Sequence, residues 1–203
     1  MLKELLLGNP FGYKSFQRAA GAEKMRRILT RDYIHPKPGD RILDIGCGTA
    51  DIRPYLGNTV SYLGIDSNES YIKHDRLKYC KDSSTLFICK DMNDDITHPY
   101  LYDIVLLIGV LHHISDQSVY KLLPSLPQLL RPSGRIITMD GCYTDDLTSF
   151  ETMLLRNDRG KFVRSLSEWK ALFSKCIPEA TYEIRKDLYY LPFNCILFQY
   201  QRS

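Results

Sequence analysis

An α/β fold, with an open and mostly parallel sheet covered by helices on both faces, is predicted by three observations. The segment Arg41–Asp51, RILDIGCGTAD, carries an apolar strand with an acid straight into a glycine turn. Further apolar runs come after it in VSYLGID, LFI, YDIVLLIGV and GRIITMDG, short and continuous as strands buried on both faces are. Segments with helical spacing separate several of these runs, and that alternation builds parallel strands joined by crossovers.

Taken in order, Ser15 to Tyr33 reads as an amphipathic helix interrupted at Gly21, with Phe16, Ala20, Met25, Ile28 and Leu29 as its apolar stripe. HPKPGD breaks it. After the first strand, Gly46 and Gly48 allow a tight turn and close approach of a ligand to the backbone. The helix expected next would add free N–H groups and the positive end of its dipole. The second strand ends in Asp66, 22 positions after Asp44 and near the spacing of about 20 for an acid that accepts from ribose hydroxyls. A third strand, Leu86 to Ile88, precedes Lys90-Asp91-Met92, and the fourth ends in Gly109 and the pair His112-His113. Between Asp116 and Leu130, Pro124 and Pro127 predict a broken or two-part helix, since an interior proline costs about 3 kcal/mol. The fifth strand, GRIITMDG, comes after LLRPSG. The next stretch, CYTDDLTSFETMLLRNDRGKFVRS, departs from the alternation and reads as an insertion bearing acceptor contacts. Ser165 and Glu168 form a capping box for a helix with Trp169, Leu172, Phe173 and Cys176 at core spacing. Two final strand-like runs, separated by Leu191-Pro192-Phe193-Asn194, read as a hairpin.

Asp44, Gly46, Gly48 and Ala50 resemble motif I of the class I S-adenosylmethionine-dependent methyltransferases, (D/E)-x-G-x-G-x-G, with alanine at the third glycine. Ala50 is small and a good helix former, so the following helix is expected to start normally. The resemblance covers about residues 40–142 and extends to the order of the signals at the strand ends, where ligands sit in such sheets. It implies a Rossmann-like seven-stranded sheet of order 3-2-1-4-5-7-6 whose last strand is antiparallel. It also implies S-adenosylmethionine as cofactor, held by Asp44, Gly46, Cys47, Gly48 and Ser67, by Asp66 at the ribose, and by Asp91 and Met92 at the adenine. Ile108 and Gly109 complete that wall. Tyr13 and Phe16 either belong to a lid over the methyl donor or pack the leading helix onto the sheet. The expected organisation is one methyltransferase domain over 1–203: a helical lid to 38, the cofactor-binding core over 39–142, and the acceptor-side insertion with the hairpin over 143–203.

The cofactor brings an activated methyl group, so the protein must supply position and a route for the acceptor's proton. His112 and His113 follow the fourth strand at the rim, and either suits a general base. Adjacent residues cannot both point the same way, and the alternative is that one packs under the loop while the other shapes the pocket. Asp140 is placed to orient a histidine, to bind an acceptor hydroxyl, or to accept within the turn beside Gly141. Methyltransferases of exocyclic amines resemble one another in (D/N)-P-P-(Y/F) after this strand, whereas this chain has Ile108-Gly109-Val110-Leu111-His112-His113. The segment looks more like that of small-molecule enzymes, with a hydroxyl oxygen the first choice. Arg156, Arg159, Lys161 and Arg164, with Phe162 among them, either grip an acidic or phosphorylated acceptor or form a solvated face. Asp140, Asp145 and Asp146 are not enough to propose a metal site. Methylation of RNA or protein, and a non-catalytic cofactor-binding subunit, remain the alternatives. The loop spacing disfavours a nicotinamide oxidoreductase.

Composition sets the outer limits. At 203 residues, 44% hydrophobic and 25% charged, the chain fits one domain. Its longest apolar run, Ile104 to Leu111, is far short of the roughly 18 residues of a membrane span. Six dispersed cysteines without a C-x-x-C pair suggest neither zinc nor a disulfide framework, and a net charge of +3 is too mild to imply nucleic acid. A cytoplasmic protein is the expectation.

Overall fold

The structure, a computed structural model, describes residues 21–92, 94, 101–158 and 160–203. Tyr13, Phe16 and Arg159 lie outside these residues. The strands are β1 (Arg41–Ile45), β2 (Ser61–Asp66), β3 (Thr85–Cys89), β4 (Tyr102–Ile108), β5 (Leu130–Tyr143), β6 (Arg164–Ser165), β7 (Thr181–Arg185) and β8 (Cys195–Gln201). They form one sheet in the order β3-β2-β1-β4-β5-β8-β7, with β6 paired to β5. The first five are mutually parallel, and β8 lies antiparallel between β5 and β7. This is the Rossmann-like order expected, with the last two strands numbered β7 and β8. The unforeseen addition is β6, two residues that pair parallel with Cys142 and Tyr143 at the end of β5.

Alternating side chains divide the sheet's apolar residues between two cores. On one face Leu43, Leu63, Val105 and Leu107 pack beneath α3 (Asp116–Leu122) and α5 (Leu166–Cys176). On the other, Ile42, Tyr62, Ile104 and Leu106 pack with α1 (Ala22–Leu29) and α2 (Glu69–Lys78). A further helix, α4 (Ser149–Arg156), comes after β5 and is closed by a capping box between Thr148 and Glu151. The capping box expected at Ser165 and Glu168 opens α5, and Trp169 is fully buried with its Nε1 donating to Gly141 O at 3.1 Å. Trp169 is thus a core residue. Pro124 and Pro127 act as expected: α3 stops at Leu122 and continues as a 3-10 helix from Leu123 to Leu129.

Two expectations fail. No α-helix forms directly after the glycine loop; the chain makes only a 3-10 turn, Arg53–Tyr55, between Pro54 at its start and Gly57 at φ 83°. Ala50, expected to begin a helix, instead sits in the left-handed region at φ 48°, with its methyl fully buried. A left-handed alanine costs about 1–2 kcal/mol, and burying a methyl returns about 0.8, so the substitution of the third glycine is close to neutral. The final hairpin is also looser than four residues allow. β7 ends at Arg185 and β8 starts at Cys195, and the connection buries Leu188 and Asn194 completely.

Candidate active site

The C-terminal ends of β1, β2, β4 and β5 open on one cleft of about 660 Å³. Its first wall is the glycine loop. Gly46 at φ 72° and Gly48 at φ 58° reverse the chain, and the amides of Gly46 and Cys47 both donate to Ile65 O, at 2.7 and 3.0 Å. A Cβ on Gly46 would stand 2.6 Å from a methyl of Val110, whereas one on Gly48 would meet open space. Gly46 is therefore fixed by backbone and packing together, and Gly48 leaves room for a ligand against bare main chain. Gly46→Ala should lose about 2–5 kcal/mol of stability from the left-handed backbone and the overpacking combined, read as a shift in urea midpoint.

Two acids flank the loop. Asp66 accepts from the Gly48 amide (2.9 Å) and from the Asn68 amide (2.8 Å), one on each oxygen, which fixes its plane and leaves lone pairs for a diol. Asp44 is 3% exposed, and its described partner is the Tyr62 hydroxyl, which donates at 2.5 Å. Burial drives its pKa up to about 7; the Tyr62 bond pulls the other way, and Asp66 and Asp75 push it further up. A buried carboxyl with only a neutral donor fits a cation such as an ammonium. Burial also raises the Cys47 thiol, so Cys47 contributes as an apolar wall residue.

The expected cofactor residues Asp44, Gly46, Cys47, Gly48, Asp66, Ser67, Met92, Ile108 and Gly109 all line this cleft. Asp91 is the exception: it is exposed beside Met92 and is not part of the wall. Tyr71, Tyr189, Phe193 and, from α1, Met25 and Arg26 also line it. Sequence reading missed these, and only the apolar stripe of α1 carried a signal, in Met25.

The far end of the cleft holds His112 between two carboxylates. Nδ1 is 2.7 Å from Asp140 Oδ1 and Nε2 is 3.1 Å from Asp158 Oδ1, with the ring 9% exposed. The His112 amide also donates to Asp140 Oδ1 at 3.1 Å. Burial opposes charge on the ring, but the hydrogen bonds and the charges of Asp140 and Asp158 outweigh it and raise the pKa to about 10. Each ring nitrogen of His112 faces a carboxylate, an arrangement that favours the charged ring and leaves neither nitrogen turned to the cleft to accept a proton. Of the roles expected of Asp140, its contacts with the His112 ring and amide match the histidine-orienting one in geometry. Asp158 has no sequence signal; it arrives after α4, where its Oδ1 also accepts from the Gly160 amide at 2.7 Å. Gly160 presses so closely that a Cβ there would fall 1.9 Å from the His112 ring. His113 is exposed, lines the cleft, and lies against His112 with ring centroids 4.2 Å apart.

Of the basic residues read either as an acceptor grip or as a solvated face, the three among the described residues do not gather at the cleft. Arg164 is buried at 5% exposure and spends its guanidinium on Leu111 O, Phe162 O, Ile114 O and Asp116, stapling the histidine turn to the insertion. Arg156 and Lys161 are exposed and outside the cleft wall. Among the described residues no helix is long and apolar enough to cross a membrane.

Residues 42–134 match the profile of a family described as a methyltransferase domain. The chain is 28% identical over 136 residues to a 27-O-demethylrifamycin SV methyltransferase of Amycolatopsis mediterranei, across 64% of this chain and 49% of that protein. It is 25% identical over 129 residues to a ubiquinone/menaquinone biosynthesis C-methyltransferase of Vibrio vulnificus, across 60% of this chain and 49% of that one. The chain spans about half the length of the curated relatives it matches. Its fold matches the plantazolicin methyltransferase BpumL, solved with a triazolic desmethylPZN analog and SAH, at a TM-score of 0.67 and 18% identity over 100% of this chain and 95% of that one. Asp66 suits a ribose diol and Asp44 the amine of a methionine moiety, either side of a glycine loop that leaves main chain bare. The strand order, the methyltransferase-domain profile over 42–134 and the fit of the cleft to this cofactor agree, and together they support a class I S-adenosylmethionine-dependent methyltransferase.

Proposed function

We propose that the protein transfers a methyl group from S-adenosylmethionine to a hydroxyl oxygen of a small, uncharged acceptor, with His113 taking the proton. The observation that carries this reading is the acceptor end of the cleft, where an imidazolium is pinned between Asp140 and Asp158 and the His113 ring lies against it, exposed to the cleft. When bound, the cofactor supplies an electrophilic methyl on a sulfonium. The glycine loop, Asp44 and Asp66 hold the donor. The Asp140–His112–Asp158 array makes the floor beside His113 rigid, so an acceptor oxygen can be held in line while its proton passes to the His113 imidazole.

Size and charge support a small acceptor. A cleft of about 660 Å³ must take the donor as well, and Tyr189, Phe193 and Met139 line it with apolar surface. A phosphorylated or acidic acceptor is disfavoured by Asp140 and Asp158 in the wall and by the engagement of Arg164 elsewhere. The relatives' names divide between oxygen and carbon as the methylated atom, 27-O-demethylrifamycin SV for the first and a quinone C-methyltransferase for the second.

The test is a screen of neutral phenols and alcohols for methyl transfer by mass spectrometry, then the His113→Ala variant on the best acceptor. Donor affinity should stay within about twofold of wild type while kcat falls roughly 10²–10⁴-fold. A variant that loses donor affinity and keeps kcat would refute the base role, and methylation of anionic acceptors alone would refute the charge argument.

A further inference from the structure

Asp44 on β1 stands opposite Gly64 on β2, and the neighbouring β2 residue on the same face, Tyr62, stands opposite Ile42. Gly64 is bare of necessity, since a Cβ there would come within 2.8 Å of the Phe87 ring and 2.9 Å of Cys47 Sγ. With no side chain directly across from Asp44, the phenol of Tyr62 reaches the carboxyl along the diagonal. Its ring packs edge-on against Phe87, with centroids 5.9 Å apart, and lies under the guanidinium of Arg53, which Thr85, Gly57 O and Asp82 hold in turn. The hydroxyl therefore has a fixed aim, and it donates to Asp44 Oδ2 at 2.5 Å. Asp44 lines the cleft, whereas Tyr62 does not.

A buried carboxylate needs a donor or a cation to stay charged. Among the described residues, the other titratable groups that face Asp44 supply neither. Asp66 from β2 and Asp75 from α2 are acids, the Cys47 thiol of the loop is raised by burial, and Arg26, which α1 brings to the same cleft, is paired with Asp51. Burial and the charge of Asp44 also push the Tyr62 phenol up, so its hydroxyl keeps its proton and remains a donor. Resting on the reading of this cleft as the S-adenosylmethionine site, we infer that Tyr62 is a positioning residue for the donor: its hydroxyl orients Asp44 and holds it as the carboxylate with which the donor's ammonium pairs. Tyr62 acts through Asp44 and touches no ligand. The ammonium then competes with a proton for Asp44, and Tyr62 sets the pH at which the ammonium wins.

The test uses two ligands: S-adenosylhomocysteine, which carries the ammonium, and 5′-methylthioadenosine, which keeps the adenosine and thioether without it. Both are titrated into the whole chain by calorimetry across pH. Burial places the Asp44 carboxyl at about 7, so wild-type affinity for S-adenosylhomocysteine should rise about 10-fold or more between roughly pH 5.5 and 7.5, while that for 5′-methylthioadenosine stays level. Tyr62→Phe should weaken S-adenosylhomocysteine about 10-fold or more at pH 7, and should move the midpoint of its pH dependence up by about one unit, so that raising the pH recovers much of the loss. Binding of 5′-methylthioadenosine within about twofold of wild type shows that the variant is folded and that its ribose and adenine contacts are intact. A residue that only packs the sheet would weaken both ligands alike and leave the midpoint in place. An equal loss for both ligands, an unmoved midpoint, or a wild-type profile that is flat for S-adenosylhomocysteine would overturn the assignment. If wild type binds neither ligand, the reading of the cleft fails first and the role of Tyr62 falls with it.

Discussion

Replacing His112 by alanine is expected to cost about 3–5 kcal/mol of folding stability at pH 7, because it leaves two partly or wholly buried carboxylates facing each other without their cation. Asp140 is 2% exposed, and the Asp158 carboxylate is held through the Gly160 amide and His112 alone among the described contacts. The same array gives the wild-type protein an alkaline dependence. His112 has its pKa raised from 6.5 to about 10, so the folded state holds a proton there that the unfolded chain releases between those values. Its contribution is complete below pH 6.5 and declines as the pH rises to about 10, by up to roughly 5 kcal/mol. Urea titrations from pH 6 to 10 read both effects. His112→Ala should flatten the alkaline decline. A His112→Ala protein that loses less than about 1 kcal/mol, or one whose alkaline decline matches wild type, would mean that the imidazolium is not the charge between these acids.

The histidine pair also shows where sequence reasoning stops. The LHH segment could be placed at the rim of the cleft because it comes after an apolar strand that can only be central, and the sheet order then fixes which edge it reaches. Nothing local separated His112 from His113. The distinction comes from Asp158, which approaches from a segment 46 positions later, and from Gly160, which has no side chain and so lets that segment touch the ring. Arg164 obeyed the same logic in reverse. As one charge in a basic run it suggested a phosphate grip, yet its partners are backbone carbonyls of the histidine turn, and carbonyls left over by a turn leave no mark in sequence. The glycine loop itself was legible from what its residues permit, but the 3-10 turn after it was not. Helix propensity favoured a helix at Ala50, but Pro54 and Gly57 left room only for a short turn, and tertiary burial of the methyl held Ala50 in a conformation that propensity counts against. The first four strands were legible to within a residue or two because each is a compact apolar run in the sheet, whereas β5 starts four residues before its apolar run and the two-residue β6 carried no such signal.

Asp66→Ala should weaken S-adenosylmethionine binding by about 10²–10⁴-fold, the loss expected for two charge-assisted hydrogen bonds of about 1.5–3 kcal/mol each to a ribose diol. The geometry makes the effect larger than that of a surface acid. Asp66 stands at the end of β2, and its two oxygens are already aligned by the amides of Gly48 and Asn68, so no ordering of the side chain remains to be done at binding. Those amides also tie the donor site to its own framework, because Gly48 belongs to the glycine loop and Asn68 caps α2 by accepting from Ser70 and Tyr71. Removing the carboxylate should therefore loosen the loop as well as the ribose contact. Asp66→Asn separates the two contributions, since one amide oxygen can still accept from Gly48 while the charge is gone, and its loss should fall between wild type and alanine. The readout is calorimetric titration with S-adenosylhomocysteine and S-adenosylmethionine, accompanied by thermal unfolding without ligand. A loss of less than about tenfold in Asp66→Ala would place the ribose elsewhere in the cleft. The large loss, with an unfolding temperature that moves by only a few degrees, is what a pre-aligned ribose acid predicts.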